Sequence, residues 1–286
     1  MSKSKSQSEL LAKHYRQKTL PTSWCSGCGI GTVIGAIVRG IEGTGLPSER
    51  FVFVTGIGCY GGAGTYLKFS DIHALHGRCP SYGTGLKLAN PELYPILLMG
   101  DGDAASIGGN HLIHAARRNI DLTAIILNNH TYGMTGGQYS PTTPQGTPAA
   151  TAPYGMVEGP FDLCRLVQAA GASFVARTTV YHVNQMVSFF TRAILHRGFA
   201  VVEVESQCPT YFGKLNKMGT PVDMLKWQRD HTVPVEKARG MKPQELEGRI
   251  ITGIFVEENR NEYVTDYYRL IERVKGKKSE IRNPKS

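Results

Sequence analysis

Several features that define other classes of protein are missing from this chain of 286 residues. The opening segment, MSKSKSQSELLAKHYRQ, lacks the apolar stretch of a secretory signal, so we expect none. No run approaches the roughly 18 uninterrupted apolar residues that a membrane span needs. The sequence also shows no nucleic-acid-binding motif and no internal repeat. We therefore expect a globular protein of the cytoplasm, without a membrane span or a nucleic-acid partner.

Charge and cysteine content narrow the choice of partners and ligands. The formal net charge is +9, and part of it lies near the two ends of the chain, for example at Lys3, Lys5, Lys275 and Lys285. Solvated tails explain this pattern, and so does a surface that attracts an acidic partner protein. Six cysteines are present. Because cytoplasmic thiols stay reduced, these residues indicate metal binding or burial rather than disulfides.

Short apolar runs alternate with helical patterns through the middle of the chain. Continuous apolar runs predict strands buried on both faces of a parallel sheet, over Phe51–Thr55, Pro95–Gly100, Thr123–Asn129 and Phe199–Glu205. Helical spacing predicts helices over Thr32–Gly43, Gly109–Asn119, Phe161–Ala170, Val183–Arg197 and Glu262–Val274. This alternation predicts an α/β fold with a doubly wound, mostly parallel sheet.

The same patterns suggest three parts of the chain. Residues 1–20 form an N-terminal tail, residues 21–231 form the α/β domain, and residues 232–286 form a C-terminal extension that could wrap a partner subunit. Within the domain, residues 139–160 hold five prolines and show no periodicity. Unstructured loops of this length inside a domain are usually functional or disordered, and we expect this one to cover an active site.

Glycine-rich segments follow three of the predicted strands. They occupy residues 56–64, 100–109 and 128–137, and glycine clusters commonly mark close approach of backbone to a ligand. Ligands of open α/β sheets bind beyond the carboxyl ends of the strands. We therefore expect all three segments to meet at one edge of the sheet and to form a single binding site.

The second of these segments contains GDGD at residues 100–103, at the end of a strand and the start of a helix. Glycines and a helix N-terminus favour an anion such as a diphosphate. Asp101 offers the hard oxygen that Mg²⁺ prefers, and Asn129 follows at the end of the next strand. The backbone carbonyl of Thr131 could provide a third oxygen. The pattern predicts a site for a diphosphate and a divalent cation.

Four of the cysteines suggest a second site. Cys25 and Cys28 form a CxxC pair, and Cys59 and Cys208 stand apart from it. A CxxC pair with two remote cysteines is a common plan for holding an iron–sulfur cluster. The residues alone are also compatible with a redox dithiol, a structural zinc site or buried thiols. A second CxxC pair, which would favour zinc, is missing.

Taken together and in order, WCSGCGIG, GIGC, HGR, GDGD and NN resemble the β subunit of 2-oxoacid:ferredoxin oxidoreductases. The resemblance runs from about Trp24 to Tyr211 and includes the GDG…NN motif of thiamine diphosphate. It implies a thiamine diphosphate-binding fold, with Mg²⁺ held by Asp101, Asn129 and the Thr131 carbonyl. It implies a [4Fe–4S] cluster on Cys25, Cys28, Cys59 and Cys208. It further implies that the cofactor is bound by Ile57, Gly58, Gly100, Asp101, Gly102, Asp103, Asn129, Thr131, Gly133 and Met134.

The resemblance also implies an activity and a set of partners. A 2-oxo acid would be oxidatively decarboxylated with coenzyme A to acyl-CoA and CO₂, in either direction, with electrons passing to ferredoxin. An α subunit would supply the missing activating glutamate, in a heterodimer or a dimer of heterodimers. The overall likeness favours 2-oxoglutarate. However, no charged residue follows Cys59 until Lys68, which leaves pyruvate and branched-chain acids open. The sequence is also compatible with a non-redox thiamine enzyme and with a zinc-stabilised binding subunit.

Further residues near these motifs carry predictions of their own. HGR places Arg78 and His76 near the cofactor, and we predict anion binding for the first and proton transfer for the second. His73 could take the place of His76, while Met134 and Gln138 would border the substrate. Cys164 lies on an apolar helix face and is predicted to pack in the core. Cys79 follows HGR, so it could line the active site, and it is a reserve candidate for a ligand of the cluster.

Overall fold

The computed structural model describes residues 7–281, and side chains are described for residues 8–276. Of the predicted N-terminal tail, residues 1–6 with Lys3 and Lys5 lie outside the described part, as does Lys285. The strands, in chain order from β1 to β10, are Phe51–Thr55, Ser70–His73, Tyr94–Gly100, Leu122–Asn128, Thr131–Tyr132, Gln138–Tyr139, Phe174–Thr179, Phe199–Glu205, Thr232–Pro234 and Ile250–Glu257. The α-helices, from α1 to α10, are Gln7–His14, Ile30–Thr44, Cys79–Ala89, Gly109–Arg118, Leu163–Ala169, Val183–Leu195, Pro221–His231, Val235–Ala238, Pro243–Leu246 and Tyr263–Ile281.

The main sheet has eight strands in the order β2-β1-β3-β4-β8-β7-β10-β9. Its strands pair in parallel except β10, which runs antiparallel to β7. The four strands expected from apolar runs are all present as β1, β3, β4 and β8, within one residue of their predicted bounds. The predicted α/β fold with a mostly parallel sheet is therefore confirmed.

Helices cover both faces of the sheet, as a parallel sheet requires. One core lies between the sheet and α2 and α6, and it includes Phe51, Phe53 and Phe190. The other core lies between the opposite face and α3, α4 and α5, and it includes Leu97 and Leu112. Alternate residues of the central strands belong to alternate cores, so nearly every strand residue is buried. This double burial explains why these strands have continuous apolar sequences.

Strands β7 and β10 have no clear signal in the sequence. In β7, the sequence FVARTT ends in polar residues, yet all six positions are buried because their polar groups find hydrogen-bond partners. Strand β10 comes from the segment predicted as a C-terminal extension. It pairs with β7 in the antiparallel direction, and the register of the pairing shifts between Ile254 and Val256. This part of the segment therefore belongs to the sheet. The final helix, predicted over Glu262–Val274, extends over Tyr263–Ile281.

The carboxyl ends of β1, β3 and β4 lie side by side and carry the three glycine-rich segments. Residues 139–160 return across this edge, and backbone bonds such as Ala150 N to Gly137 O hold them there. Within residues 7–281, no helix combines the length and the apolar character that a bilayer crossing would need.

Candidate active site

A cavity of about 160 Å³ lies at the carboxyl edge of the sheet. The ends of β1, β3 and β4 all contribute to its wall, as the glycine-rich segments predicted. Every residue that the sequence suggested for binding the cofactor lines it, and so does His76. The complete wall consists of Ile57, Gly58, Cys59, Tyr60, His76, Gly100, Asp101, Gly102, Asp103, Leu127, Asn129, Thr131, Tyr132, Gly133, Met134 and Thr135.

Three oxygen atoms converge on one side of this cavity. The side-chain oxygen of Asn129 lies 2.8 Å from the carbonyl oxygen of Thr131 and 3.3 Å from Oδ1 of Asp101. Exchanging the amide oxygen and nitrogen would relieve this crowding of acceptors, but it would lose the 3.3 Å bond from the Thr131 N–H. Neighbouring ligands of an octahedral Mg²⁺ at about 2.1 Å are roughly 3 Å apart. A cation bound between these oxygens would account for the arrangement without exchanging the amide.

The other carboxylate oxygen of Asp101 is held by two hydroxyl groups. Ser140 donates to Oδ2 at 2.5 Å and Thr142 donates to it at 2.7 Å. Asp101 is buried, and burial raises the pKa of its carboxyl group while the two hydroxyl bonds lower it. Both hydroxyls belong to the proline-rich segment predicted to cover the site. That segment therefore fixes the orientation of Asp101 and leaves Oδ1 facing the cavity.

A buried polar network continues from Asp101 toward β8. Thr142 Oγ1 also lies 2.8 Å from Oδ1 of Asn128, and Nδ2 of Asn128 donates to Oε1 of Glu203 at 2.8 Å. His130 places its ring nitrogens 3.0 Å from Glu205 Oε2 and 3.0 Å from the Thr142 carbonyl, which are both acceptors. Burial lowers the pKa of His130, but the Glu205 carboxylate prevails and raises it to about 9. The geometry favours an imidazolium ion.

Asp103 orients His76 at the opposite side of the cavity. Oδ1 of Asp103 accepts hydrogen bonds from His76 Nδ1 at 2.5 Å and from the Gly77 N–H at 2.7 Å. The carboxylate is buried, and burial raises its pKa although both bonds lower it. Because Nδ1 is engaged, Nε2 is the ring atom of His76 that remains for a ligand in the cavity.

Other residues suggested by the sequence lie away from this cavity. The guanidinium group of Arg78 donates to the backbone carbonyls of His76 and Ile107, at 3.3 and 3.2 Å. These contacts suit a structural arginine, and the anion-binding role stays a prediction. His73 contacts Thr55 Oγ1 at 3.1 Å, and Gln138 hydrogen-bonds Thr135. Neither residue is part of the cavity wall.

The four cysteines of the predicted cluster site are close to one another. The pKa of the Cys28 thiol is raised to about 11. Burial is the largest cause, and the negative charges that Cys208, Cys59 and Cys25 would carry add to it. A Cβ atom placed on Gly133 would lie 3.5 Å from Cys59 Sγ and 3.8 Å from Cys208 Sγ. Gly133 and Cys59 also line the 160 Å³ cavity. The cysteine site and the cavity therefore share a wall.

The spacing of these sulfur atoms bears on the choice of metal. Among the described residues, no three of the four lie within 4.8 Å of one another. Thiolates around a tetrahedral zinc ion, at bonds of about 2.3 Å, would be about 3.8 Å apart. As placed, the four thiols therefore do not form a ready-made tetrahedral zinc site.

The two remaining cysteines lie in the second hydrophobic core. Cys164 is buried there, as predicted, with its Sγ 3.2 Å from Glu203 Oε2. Cys79 is fully buried in the same core, where burial and the charge of Asp103 raise its pKa. It does not contribute to the electrostatics of Cys28, unlike the other three cysteines. Its placement does not support its use as a reserve ligand.

A larger cavity of about 650 Å³ lies on the far side of Asn128 and His130. Its walls combine the proline-rich segment, α7 and the start of β10, and include Phe161, Phe212 and Trp227. No motif indicated this cavity, since its walls are far apart in the sequence.

Comparison with known proteins agrees with this geometry. Residues 56–204, more than half of the chain, match the family "Thiamine pyrophosphate enzyme, C-terminal TPP binding domain". The chain is 48% identical to the 2-oxoglutarate synthase subunit KorB of Methanothermobacter marburgensis, over 93% of both chains. It is 46% identical to the protein of the same name from Methanocaldococcus jannaschii, over 92% of this chain and 97% of the other.

A solved structure is similar over nearly the whole length. It is the 2-oxoglutarate:ferredoxin oxidoreductase of Magnetococcus marinus, with 2-oxoglutarate, coenzyme A and succinyl-CoA bound. The TM-score is 0.83 at 29% sequence identity, and 96% of each chain is covered. These similarities support the same assignment as the geometry, in which the GDG…NN residues line a cavity beside four neighbouring cysteines. The chain belongs to the thiamine pyrophosphate-binding β subunits of the 2-oxoacid:ferredoxin oxidoreductases.

Proposed function

We propose that this chain is the β subunit of an enzyme that oxidises a 2-oxo acid with coenzyme A. The products are acyl-CoA, CO₂, one proton and two electrons, which leave one at a time for ferredoxin. The observation that carries the proposal is the wall shared by the cavity and the cysteine site, formed by Cys59 and Gly133. An organic cofactor in the cavity and a metal cluster on the cysteines would be direct neighbours.

The residues of the cavity fit thiamine diphosphate and Mg²⁺. Asp101 Oδ1, the Asn129 side-chain oxygen and the Thr131 carbonyl oxygen would hold the cation, because they already face one another. Gly100, Gly102 and Asp103 would lie beside the diphosphate at the start of the following helical turn. When bound, thiamine diphosphate supplies the nucleophilic carbon that attacks the 2-oxo group and the electron sink for decarboxylation.

His76, oriented by Asp103, would transfer a proton beside this cofactor. Asp103 holds Nδ1 and fixes the direction of the ring, so that Nε2 of His76 can donate to or accept from a group in the cavity. Release of the acyl group to coenzyme A requires loss of the thiol proton. The His76 side chain is 33% exposed, whereas the carboxylates of Asp101 and Asp103 on the same wall are buried, so His76 can pass a proton outward.

The four cysteines would hold one [4Fe–4S] cluster. Cys25 is exposed, while Cys208 is buried on the side that faces Gly133 and the cavity. The site therefore reaches from the cavity wall to the protein surface. Such a cluster accepts one electron at a time, which matches the one-electron chemistry of ferredoxin. The similarity to a ferredoxin oxidoreductase supports iron–sulfur rather than zinc, which the sequence by itself did not exclude.

The preferred substrate in this proposal is 2-oxoglutarate. Support comes from the names of the Methanothermobacter and Methanocaldococcus relatives and from the ligands of the Magnetococcus enzyme. Lys68, the first charged residue after Cys59, donates to the carbonyl oxygen of Ala12 at 2.8 Å, so it is engaged away from the cavity. A cation for the second carboxylate of 2-oxoglutarate would therefore come from the α subunit.

Activity would require that α subunit for a second reason. The cavity wall of the described chain offers two carboxylates, Asp101 and Asp103; the first is held by hydroxyl groups and the second by His76. Neither is free to activate the pyrimidine ring of thiamine. The assembly as a heterodimer or a dimer of heterodimers, and the cytoplasmic location, stay predictions.

Turnover measurements test this proposal. The β chain alone and the assembled αβ complex would be supplied with coenzyme A, viologen as electron acceptor, and 2-oxoglutarate, pyruvate or a branched-chain 2-oxo acid. We expect turnover by the complex alone, fastest with 2-oxoglutarate. A strong preference for a branched-chain acid would contradict the substrate assignment. CO₂ release without viologen reduction would instead indicate a non-redox thiamine enzyme.

A further inference from the structure

The loop that carries Cys25 and Cys28 packs against the start of α7. Gly27 adopts a φ of +78°, and a Cβ atom at this position would lie 2.4 Å from Cγ of Pro221. Only glycine satisfies both the positive φ and this close approach. Gln207 strengthens the contact by donating to the Gly27 carbonyl at 2.9 Å. The N-terminus of α7 is thus a fixed neighbour of the exposed CxxC loop.

The segment of residues 214–220 joins the cysteine site to α7. It begins directly after the turn that follows Cys208, in which the Gly213 N–H donates to the Cys208 carbonyl at 2.9 Å. It ends at Thr220, the N-cap residue of α7. Both ends of the segment therefore lie against parts of the chain that carry predicted cluster ligands.

Residues 214–226 expose lysine and apolar side chains beside the cysteine site. Lys214, Lys217 and Lys226 are exposed, and none of the three forms an ion pair within 4.0 Å in the described part of the chain. Leu215 and Val222 are also exposed, at 43% and 58%. Lys226 lies four residues after Val222 on α7, so their side chains share one face of the helix. We call Lys214, Leu215, Lys217, Val222 and Lys226 the lysine rim.

Asp223, the acidic residue within this stretch, is exposed, and its hydrogen bonds with Thr220 lower its pKa, so that it keeps its negative charge. Asp223 accepts from the Thr220 hydroxyl at 2.7 Å and from the Thr220 N–H at 2.9 Å, as part of a capping box. Residues 214–226 therefore carry three lysines against one aspartate, a net charge of +2, around exposed apolar side chains. Charged groups surrounding apolar contacts are typical of surfaces that bind an oppositely charged protein transiently.

We propose that the lysine rim is the docking surface for the electron acceptor, a small acidic iron–sulfur protein. This inference rests on the proposed function, because it needs a cluster on the four cysteines. Cys25 is exposed beside the rim, so a protein seated there would bring its own cluster close to this one. The lysines would steer the encounter and set its orientation, while Leu215 and Val222 would exclude water from the contact.

Charge reversal in the assembled αβ complex tests the proposal. The variant K214E/K217E/K226E would be compared with R117E/K237E/K242E, which makes the same change in net charge on exposed basic residues that also have no ion pair within 4.0 Å in the described part of the chain. Reduction of an acidic [4Fe–4S] ferredoxin and of methyl viologen would be measured at several salt concentrations. Methyl viologen is a small cation, so its reduction does not depend on a surface that binds an acidic protein.

We expect the rim variant to lose about tenfold or more in kcat/KM for ferredoxin and most of its salt dependence. Its viologen turnover and iron content should stay within about twofold of the wild type, and the control variant should keep its ferredoxin kinetics. A neutral K214Q/K217Q/K226Q variant should lie in between.

Equal ferredoxin kinetics in the rim and control variants would overturn the docking proposal while leaving the proposed function intact. Loss of viologen turnover in the rim variant, at normal iron content, would also overturn it, because the lysines would then serve the chemistry. A wild-type complex without iron or viologen turnover would overturn the proposed function, and the docking surface with it.

Discussion

Gly133 faces Cys59 across the boundary between the cavity and the cysteine site, where an added Cβ atom would lie 3.5 Å from the sulfur. That distance is an ordinary van der Waals contact, so one methyl group fits there and a branched side chain does not. Gly133 follows the predicted magnesium ligands in the sequence, and Cys59 is a predicted ligand of the cluster. It makes position 133 a direct probe of the shared wall.

Substitution of Gly133 should therefore have graded effects. We expect Gly133→Ala to keep its iron and most of its activity, while Gly133→Val should lose at least half of its iron because its methyl groups press on the Cys59 and Cys208 sulfurs. Iron analysis and viologen turnover of the αβ complex measure both effects. Equal iron content in the two variants would show that the sulfurs do not border this residue.

The hydroxyl groups that hold Asp101 should control metal affinity. Asp101→Asn should abolish cofactor binding, and Thr142→Val should raise the Mg²⁺ concentration for half-maximal thiamine diphosphate binding about 10- to 100-fold, as loss of a bond to a metal ligand does. Thr147→Val is the matched control, since its hydroxyl bonds the Pro144 carbonyl in the same loop. Calorimetric titration provides the measurement, and equal affinities for the two threonine variants would refute the role of Thr142.

Asp103 should act through His76 rather than on its own. We expect Asp103→Asn and His76→Gln each to lower kcat by about 10²- to 10⁴-fold, the range for loss of a general acid–base catalyst. The double variant should be no slower than the slower single variant, because one function is removed twice. Single-turnover rates with saturating thiamine diphosphate provide the comparison. Multiplicative losses in the double variant would mean that the two residues act independently.

The ion pairs of Arg177 should contribute to stability. Its Nε donates to Glu203 Oε2 at 2.7 Å, its Nη2 contacts Asp162 Oδ1 at 2.5 Å, and Glu203 is almost fully buried. Arg177→Met should lower the free energy of unfolding by about 3–5 kcal/mol, because it leaves a buried carboxylate unpaired. Adding Glu203→Gln should recover part of that loss in denaturant titrations. If the double variant is less stable than Arg177→Met, the unpaired charge is not the cause.

The sequence predicted those features that depend on local pattern. Strands β1, β3, β4 and β8 are buried on both faces, and their apolar runs were visible without a structure. The cavity wall was predicted because parallel strands bring their carboxyl ends together, so Asp101 and Asn129 had to be neighbours. The CxxC pair and the two remote cysteines were recognisable from a common cluster-binding plan and from the family resemblance.

Other features depend on tertiary structure and left no local signal. Strand β7 contains Arg177, whose burial is explained by its ion pair with Glu203 on β8, 26 residues away. The hydroxyls of Ser140 and Thr142 reach Asp101 only because the proline-rich segment folds back over the cavity. The lysine rim likewise follows from the contact between Gly27 and Pro221, which are 194 positions apart.

Metal analysis of the protein, purified anaerobically together with its α subunit, tests the central claim most directly. Iron, acid-labile sulfide and zinc would be measured per β chain, with an EPR spectrum after reduction. The account predicts about four irons and four sulfides and the signal of a reduced [4Fe–4S] cluster. It predicts their loss in Cys25→Ser, Cys28→Ser, Cys59→Ser and Cys208→Ser, but not in Cys79→Ala. Zinc in place of iron, or well-folded protein without any metal, would contradict the account.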